Sequence, residues 1–207
     1  MPVVVALGSP PPEEALLRAG QALDEGQVVA LPTDTVYGLA VDPFRPGAGD
    51  RLFALKQRPR SVDLPLLVAD VDQALGVATG VPEVAVRLMA VFWPGPVTIV
   101  VPRRPDLAAD LGDDEATVGV RCPGHEVPLA LCRRHGPLAT TSANLHGRPT
   151  LATAAEVESE LGASVAVVLD GGACQGEPST VVDCTGEEPK CLREGRVSWP
   201  EVEAALS

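Results

Sequence analysis

The sequence predicts an α/β fold on an open, twisted, mixed sheet with flanking helices, and three observations carry that prediction. Short Val-rich runs recur along the chain ("VVALP", "LPLLVAD", "VTIVV", "SVAVVLD"), as expected of strands buried on both faces. Segments with apolar residues at helical spacing lie between them, so strands and helices alternate. The 207 residues are 45% hydrophobic but only 3% aromatic. Val, Leu and Ala must therefore fill one substantial core, or two small ones. No repeat, linker or low-complexity tract divides the chain, so residues 1–207 are expected to form one domain.

Taken in order, residues 12–25 read as a helix with Glu near its start and Gly26 placed to close it in a left-handed cap. "VVALP" (28–32) is a strand and "VYGLAVD" (36–42) its partner, joined through the hydroxyl-rich turn "PTDT". A helix over 49–57 must stop before Pro59, which disfavours helical geometry at Arg58. Lys56 and Arg58 therefore leave from a helix end into a loop. "LPLLVAD" (64–70) is the next strand, followed by helices at 71–78 and 82–92. "FWPGPVTIVVP" brackets a turn with two prolines and runs on as a strand. "ATVGVRCPG" (116–124) is a strand with Arg121 near its exit, "EVPLALCRRH" a helix, and "PLATTSAN" a strand entering a polar loop. Thr153 with Glu156, and Ser198 with Glu201, fit the capping box at a helix start. Three short strands, "SVAVVLD", "STVVDC" and "KCLREG", lie between them.

The formal charge of -12 excludes indiscriminate nucleic-acid binding over the whole surface, which needs clustered Lys and Arg. Any anion must be met locally, and "KQRPR" (56–60) concentrates cations in an otherwise acidic chain. No apolar run approaches the ~20 residues of a membrane span, and the N-terminus lacks the basic start of a secretory signal. No membrane association and a cytoplasmic address are the expectation. Five cysteines, an odd number without framework spacing, suit reduced thiols. Cys122, His125, Cys132 and His135 spell C-x2-H-x6-C-x2-H, only loosely a zinc layout; buried thiols and surface histidines are the simpler reading, and no protein-bound metal is expected.

P-loop and Rossmann glycine fingerprints are absent, as is G-x-S-x-G; Gly171 and Gly172 read as a turn. What remains is hydroxyls and an amide at the ends of expected strands: Thr33 and Thr35; Thr140, Thr141, Ser142 and Asn144; Ser179 and Thr180. Each alone is ordinary turn chemistry. Together with Lys56, Arg58, Arg121 and Arg193 they would furnish a donor-rich pocket for a small ligand bearing carboxylate or phosphate groups.

Seven blocks, "LPTDTVYGLAVDP", "LFALKQRPR", "LPLLV", "FWPGPVTIVV", "VGVRCPGH", "ATTSANLHGRPT" and "PSTVVDC", follow one another in the order and approximate spacing of the YrdC/Sua5 family, the threonylcarbamoyl-AMP synthases. The chain resembles that family from about residue 13 to 200, in its short, single-domain form, and the paired K-x-R and S-x-N signature (Lys56, Arg58, Ser142, Asn144) is specific to it. The resemblance implies a sheet with a concave cationic cavity. It also implies an enzyme that condenses L-threonine, bicarbonate or CO2, and ATP with Mg2+ into threonylcarbamoyladenylate and pyrophosphate. A separate complex would transfer the product to form t6A at position 37 of tRNA. By similarity Thr33, Thr35, Arg121, Thr140 and Ser179 would hold threonine, and Lys56, Arg58, Thr117, Ser142, Asn144, Thr150 and Arg193 the nucleotide, with Lys56 and Arg58 catalytic. Two departures concern Leu64, where several relatives carry Asn, and Ala69, where some carry His. The alternatives are a carbamoyl-adenylate-forming relative and a non-enzymatic module that binds double-stranded RNA; a weak RNA contact is compatible with the synthase reading.

Overall fold

A computed structural model describes residues 2–8, 11–145 and 147–206. Its strands are β1 (Val3–Ala6), β2 (Val29–Leu31), β3 (Gly38–Val41), β4 (Leu66–Leu67), β5 (Val97–Pro102), β6 (Thr117–Arg121), β7 (Leu138–Ser142), β8 (Val167–Asp170), β9 (Thr180–Asp183) and β10 (Lys190–Arg193). They form one sheet in the order β1-β8-β2-β3-β7-β4-β6-β5-β9-β10. Parallel and antiparallel neighbours mix: β1/β8, β8/β2, β4/β6 and β5/β9 are parallel, the rest antiparallel. The helices are α1 (Glu13–Asp24), α2 (Ala48–Lys56), α3 (Val71–Val77), α4 (Glu83–Phe92), α5 (Glu126–His135), α6 (Ala154–Leu161) and α7 (Trp199–Leu206). This is the mixed α/β class that the alternating pattern predicts.

Local chemistry explains the boundaries. Gly26 closes α1 at φ +67°; its N–H donates to Leu23 O and that of Gln27 to Ala22 O, the Schellman pattern for which glycine is suited. Thr153 and Glu156 make the full reciprocal cap of α6. At Ser198 only half of the expected box forms, because the hydroxyl donates to Glu201 Oε2 at 2.6 Å instead of accepting from the backbone. Two strand expectations are corrected. Only Leu66–Leu67 of "LPLLVAD" pairs in the sheet, squeezed between β6 and β7. The N-terminal valines, not read as a strand, form β1 along β8.

Side chains alternate across the sheet, and the two faces are covered unequally. On one, α2, α3, α4, α6 and α7 bury Leu52, Val77, Leu88, Val157 and Val202 against Leu39, Ile99, Val120 and Val168. On the other, α1 and α5 bury Leu16, Leu23, Val127 and Leu131 against Val29, Leu31, Leu138 and Leu169. Leu64 sits in the first cluster and Ala69 in the second, so both departures are packed core positions. Beyond Leu67 the second face carries Gly38, Thr98, Arg121, Thr140 and Ser142, and these line a cavity instead of meeting a helix.

Candidate active site

The cavity, about 280 Å³, is floored by β3, β7, β6 and β5 and rimmed by the "PTDT" turn, the loop after α2, and the segment leading into β9. Register brings the floor together: Gly38 pairs with Ser142 and Ala40 with Thr140, and Leu67 pairs with Arg121. Residues opposite one another in a ladder share a face. Ten residues expected from the sequence line this space: Thr33, Thr35, Arg58, Arg121, Thr140, Thr141, Ser142, Thr150, Ser179 and Arg193.

Arg121 is 7% exposed and held from three directions. Its Nε donates to Gly95 O at 3.0 Å, Nη1 to Thr35 Oγ1 at 3.0 Å and Nη2 to Asp34 Oδ1 at 2.6 Å. Thr33 Oγ1 donates to Val36 O at 2.7 Å and lies 2.9 Å from Thr35 Oγ1. Each hydroxyl has a single proton, so the relay runs one way: Arg121 donates to Thr35, Thr35 to Thr33, and Thr33 to the backbone. Of five guanidinium donors, one each on Nη1 and Nη2 remains for a ligand. Burial lowers the Arg121 pKa and the Asp34 carboxylate opposes that shift; an arginine stays charged throughout.

Arg58 and Arg193 are held differently. Arg58 donates through Nε to Val62 O at 2.7 Å and through Nη2 to Asp63 O at 2.8 Å. Arg193 donates through Nη2 to Ser179 O at 2.8 Å and to Ser179 Oγ at 3.2 Å. Their acceptors are neutral, and burial lowers both pKa values; for Arg58 the Asp63 carboxylate opposes that shift and Arg193 adds to it. Two guanidinium groups aimed by backbone carbonyls, neither in an ion pair with a carboxylate among the described residues and only Arg58 with one, Asp63, acting on its charge, favour a polyanion.

Four expected residues stand elsewhere, one of them Thr180, which is fully buried and donates through Oγ1 to Val197 O. Lys56 is 2% exposed and lies behind the wall; its Nζ donates to Ser142 O and Asn144 Oδ1, each at 2.7 Å, and to Asn144 O. All three ammonium protons are used, so Lys56 ties the loop after β7 instead of reaching into the cavity. Burial, then Arg58, lowers its pKa to about 8. Asn144 is equally committed: Oδ1 also accepts from Ser142 Oγ at 2.6 Å, and Nδ2 donates to Arg148 O. Thr117 turns its hydroxyl to Asp114 Oδ2. Sequence reasoning missed Thr98, whose Oγ1 lies 2.9 Å from Ser179 Oγ; one hydroxyl in the apolar strand "VTIVV" was the available signal. It also left Asp34 unassigned.

The loose zinc pattern is occupied by other bonds. Cys122 Sγ donates to Ala69 O and Cys132 Sγ to Leu67 O. Burial raises both thiols, Cys122 to about 11. His125 Nδ1 accepts from Val127 N at the start of α5.

A family model named Sua5/YciO/YrdC, described as telomere recombination, matches residues 21–195. The chain belongs to that family. A threonylcarbamoyl-AMP synthase of Vibrio vulnificus (strain YJ016) is 38% identical over 87% of this chain and 98% of its own length. One from Bacillus subtilis (strain 168) is 37% identical over 92% of this chain and 56% of its own. The crystal structure of P. abyssi Sua5 complexed with L-threonine superposes with a TM-score of 0.89 at 32% identity, covering 99% of this chain. This chain spans 60% of that Sua5, a little over half the length of the longer members of its family. Among the described residues no helix is long and apolar enough to cross a membrane.

Proposed function

We propose that this chain is a threonylcarbamoyl-AMP synthase working as one YrdC-like domain. It condenses L-threonine, CO2 or bicarbonate, and ATP into threonylcarbamoyladenylate and pyrophosphate, in the cytoplasm. The observation that carries this reading is one cavity with two kinds of cationic site. A buried guanidinium with two free donors stands among hydroxyls, and two further guanidinium groups, Arg58 and Arg193, donate to neutral acceptors and form no ion pair among the described residues. The first suits an α-amino acid carboxylate, the second a triphosphate. Relatives named for this activity and a family structure holding L-threonine support the pairing.

In this reading Arg121 grips the threonine carboxylate, and Thr33, Thr35, Thr140 and Ser179 read its hydroxyl and amine. Arg58, Arg193, Ser142 and Thr150 face the nucleotide. Lys56 and Asn144 act one layer out by holding Ser142; Thr117 takes no direct part. The neutral threonine amine attacks CO2, forming a C–N bond as one C=O electron pair moves onto oxygen, and releases a proton to water to give a carbamate. A carbamate oxygen then attacks the α-phosphorus as the bond to the bridging oxygen breaks and pyrophosphate leaves with its electron pair. The carbamate is already anionic, so positioning and charge stabilisation supply most of the rate. Mg2+ enters with ATP, because it keeps phosphate and water ligands more readily than a protein cage. When bound it would offset triphosphate charge. The product then passes to a t6A-transfer complex.

The test is pyrophosphate release from purified protein with labelled bicarbonate, ATP and each amino acid in turn. Threonine-dependent release with label carried into an adenylate is expected. Release independent of the amino acid, or dependent on carbamoyl phosphate, would overturn the proposal.

A further inference from the structure

Of the cations in "KQRPR", Arg60 neither lines the cavity nor joins the core. Its Nη1 donates to Asp50 Oδ1 at 2.7 Å and its Nη2 to Asp110 Oδ1 at 2.5 Å, while Nε lies 3.6 Å from Asp113 Oδ1. The guanidinium carbon stands 4.8 Å from the centroid of the Phe53 ring. Asp50 and Phe53 belong to α2, and Asp110 and Asp113 to the connection between β5 and β6. One side chain therefore joins the loop after α2 to two separate elements.

The backbone follows the same seam. Asp113 N donates to Arg60 O at 3.0 Å and Leu64 N to Leu111 O at 2.7 Å, and Asp114 N donates to Asp63 Oδ1 at 3.2 Å. Close approach depends on glycine: a Cβ on Gly112 would fall 2.0 Å from Asp63 Oδ1, and one on Gly49 2.3 Å from Asp110 Oδ2. Single exposed ion pairs contribute little. Here, however, a planar fork meets carboxylates on two of its edges over an aromatic ring, an arrangement that fixes direction as well as energy.

Arg58 hangs from this anchored loop, because both of its acceptors, Val62 O and Asp63 O, lie within it. We infer that Arg60 is a positioning residue for Arg58: its contacts with Asp50, Asp110, Asp113 and Phe53 hold the 58–63 loop so that the Arg58 guanidinium faces the nucleotide. The inference rests on the nucleotide-facing role given to Arg58 above. A network serving only general stability would act on both substrates alike.

The experiment measures ATP and threonine affinities separately by calorimetry, together with KM, kcat and Tm. The proteins are wild type, Arg58→Ala, Arg60→Ala, Arg60→Lys, Asp110→Asn and the double variant Arg60→Ala/Asp110→Asn. Arg60→Ala is expected to weaken ATP binding about three- to tenfold and to leave threonine affinity unchanged. Asp110→Asn should act in the same direction, the double variant should be no worse than Arg60→Ala, and Arg60→Lys should recover part of the loss. Wild-type ATP affinity in Arg60→Ala, beside a loss in Arg58→Ala, would overturn this inference and leave the functional reading standing. Equal weakening of both substrates in step with Tm would also overturn it. Wild-type ATP affinity in Arg58→Ala would instead remove the role of Arg58 itself, and the inference with it.

Discussion

At the scale of single residues, Arg121 shows how much one side chain can be asked to do. It meets a backbone carbonyl, a hydroxyl and a carboxylate at once, a geometry that a lysine, with a single point of charge, cannot reproduce. Arg121→Lys should therefore raise the KM for threonine about a hundredfold while the KM for ATP changes by less than about threefold; steady-state kinetics with each substrate varied checks the split. Lys56 makes a second prediction through pH. Its pKa falls to about 8 in the folded chain from an ordinary value near 10.5. Above pH 8 the neutral amine has one donor fewer for the Ser142–Asn144 loop, so ATP affinity should decline along an alkaline limb that Lys56→Arg abolishes. Stability carries the opposite sign: between about 8 and 10.5 the unfolded chain binds more protons than the folded one, so this group's contribution to stability rises with pH. Chemical denaturation at pH 7.5 and 9.5, compared with Lys56→Arg, reads that term. These residues were legible from their types and motif order, but their partners were not. Lys56 and Asn144 are 88 positions apart, and nothing local tells a cation that will face a ligand from one that will be buried under a loop.

At the scale of elements, caps should be separable from chemistry. Asp70 caps α3 by accepting from Gln73 N at 2.8 Å, and α3 packs on the face away from the cavity. Asp70→Ala should cost about 1 kcal/mol and lower Tm by roughly 2–4 °C, with both KM values unchanged; a melting curve beside a kinetic assay checks it. Most elements were readable because their apolar spacing and their punctuation agree, as at Gly26 after α1 and Pro59 after α2. β4 was not. Its apolar run continues past Leu67 through Val68 and Ala69, yet only Leu66 and Leu67 have partners on both sides, and beyond them a single bond from Val68 N to Arg121 O remains. β1 was hidden for a different reason: an edge strand with Val3 and Val4 exposed has no alternation, and only β8 makes it a strand.

For the molecule as a whole, the charge of -12 and a pocket of arginines separate long-range from short-range electrostatics. At 0.15 M salt the screening length is about 8 Å, so ATP meets the guanidinium groups only at close quarters, whereas a duplex would meet the acidic exterior. Double-stranded RNA should show no saturable binding at about 10 μM protein and 150 mM salt, and no steep salt slope; filter binding over a salt series checks this. The uneven cover of the sheet has a last consequence. Arg121, Thr98 and the entry to β9 at Ser179 stand on three successive strands, whose separation is set at about 4.8 Å by backbone hydrogen bonding. The floor is thus a ruler with fixed rungs. A change of substrate, by natural drift or by design, must be written in side-chain lengths, trimming Thr98 or filling Gly38, because the marks themselves cannot slide.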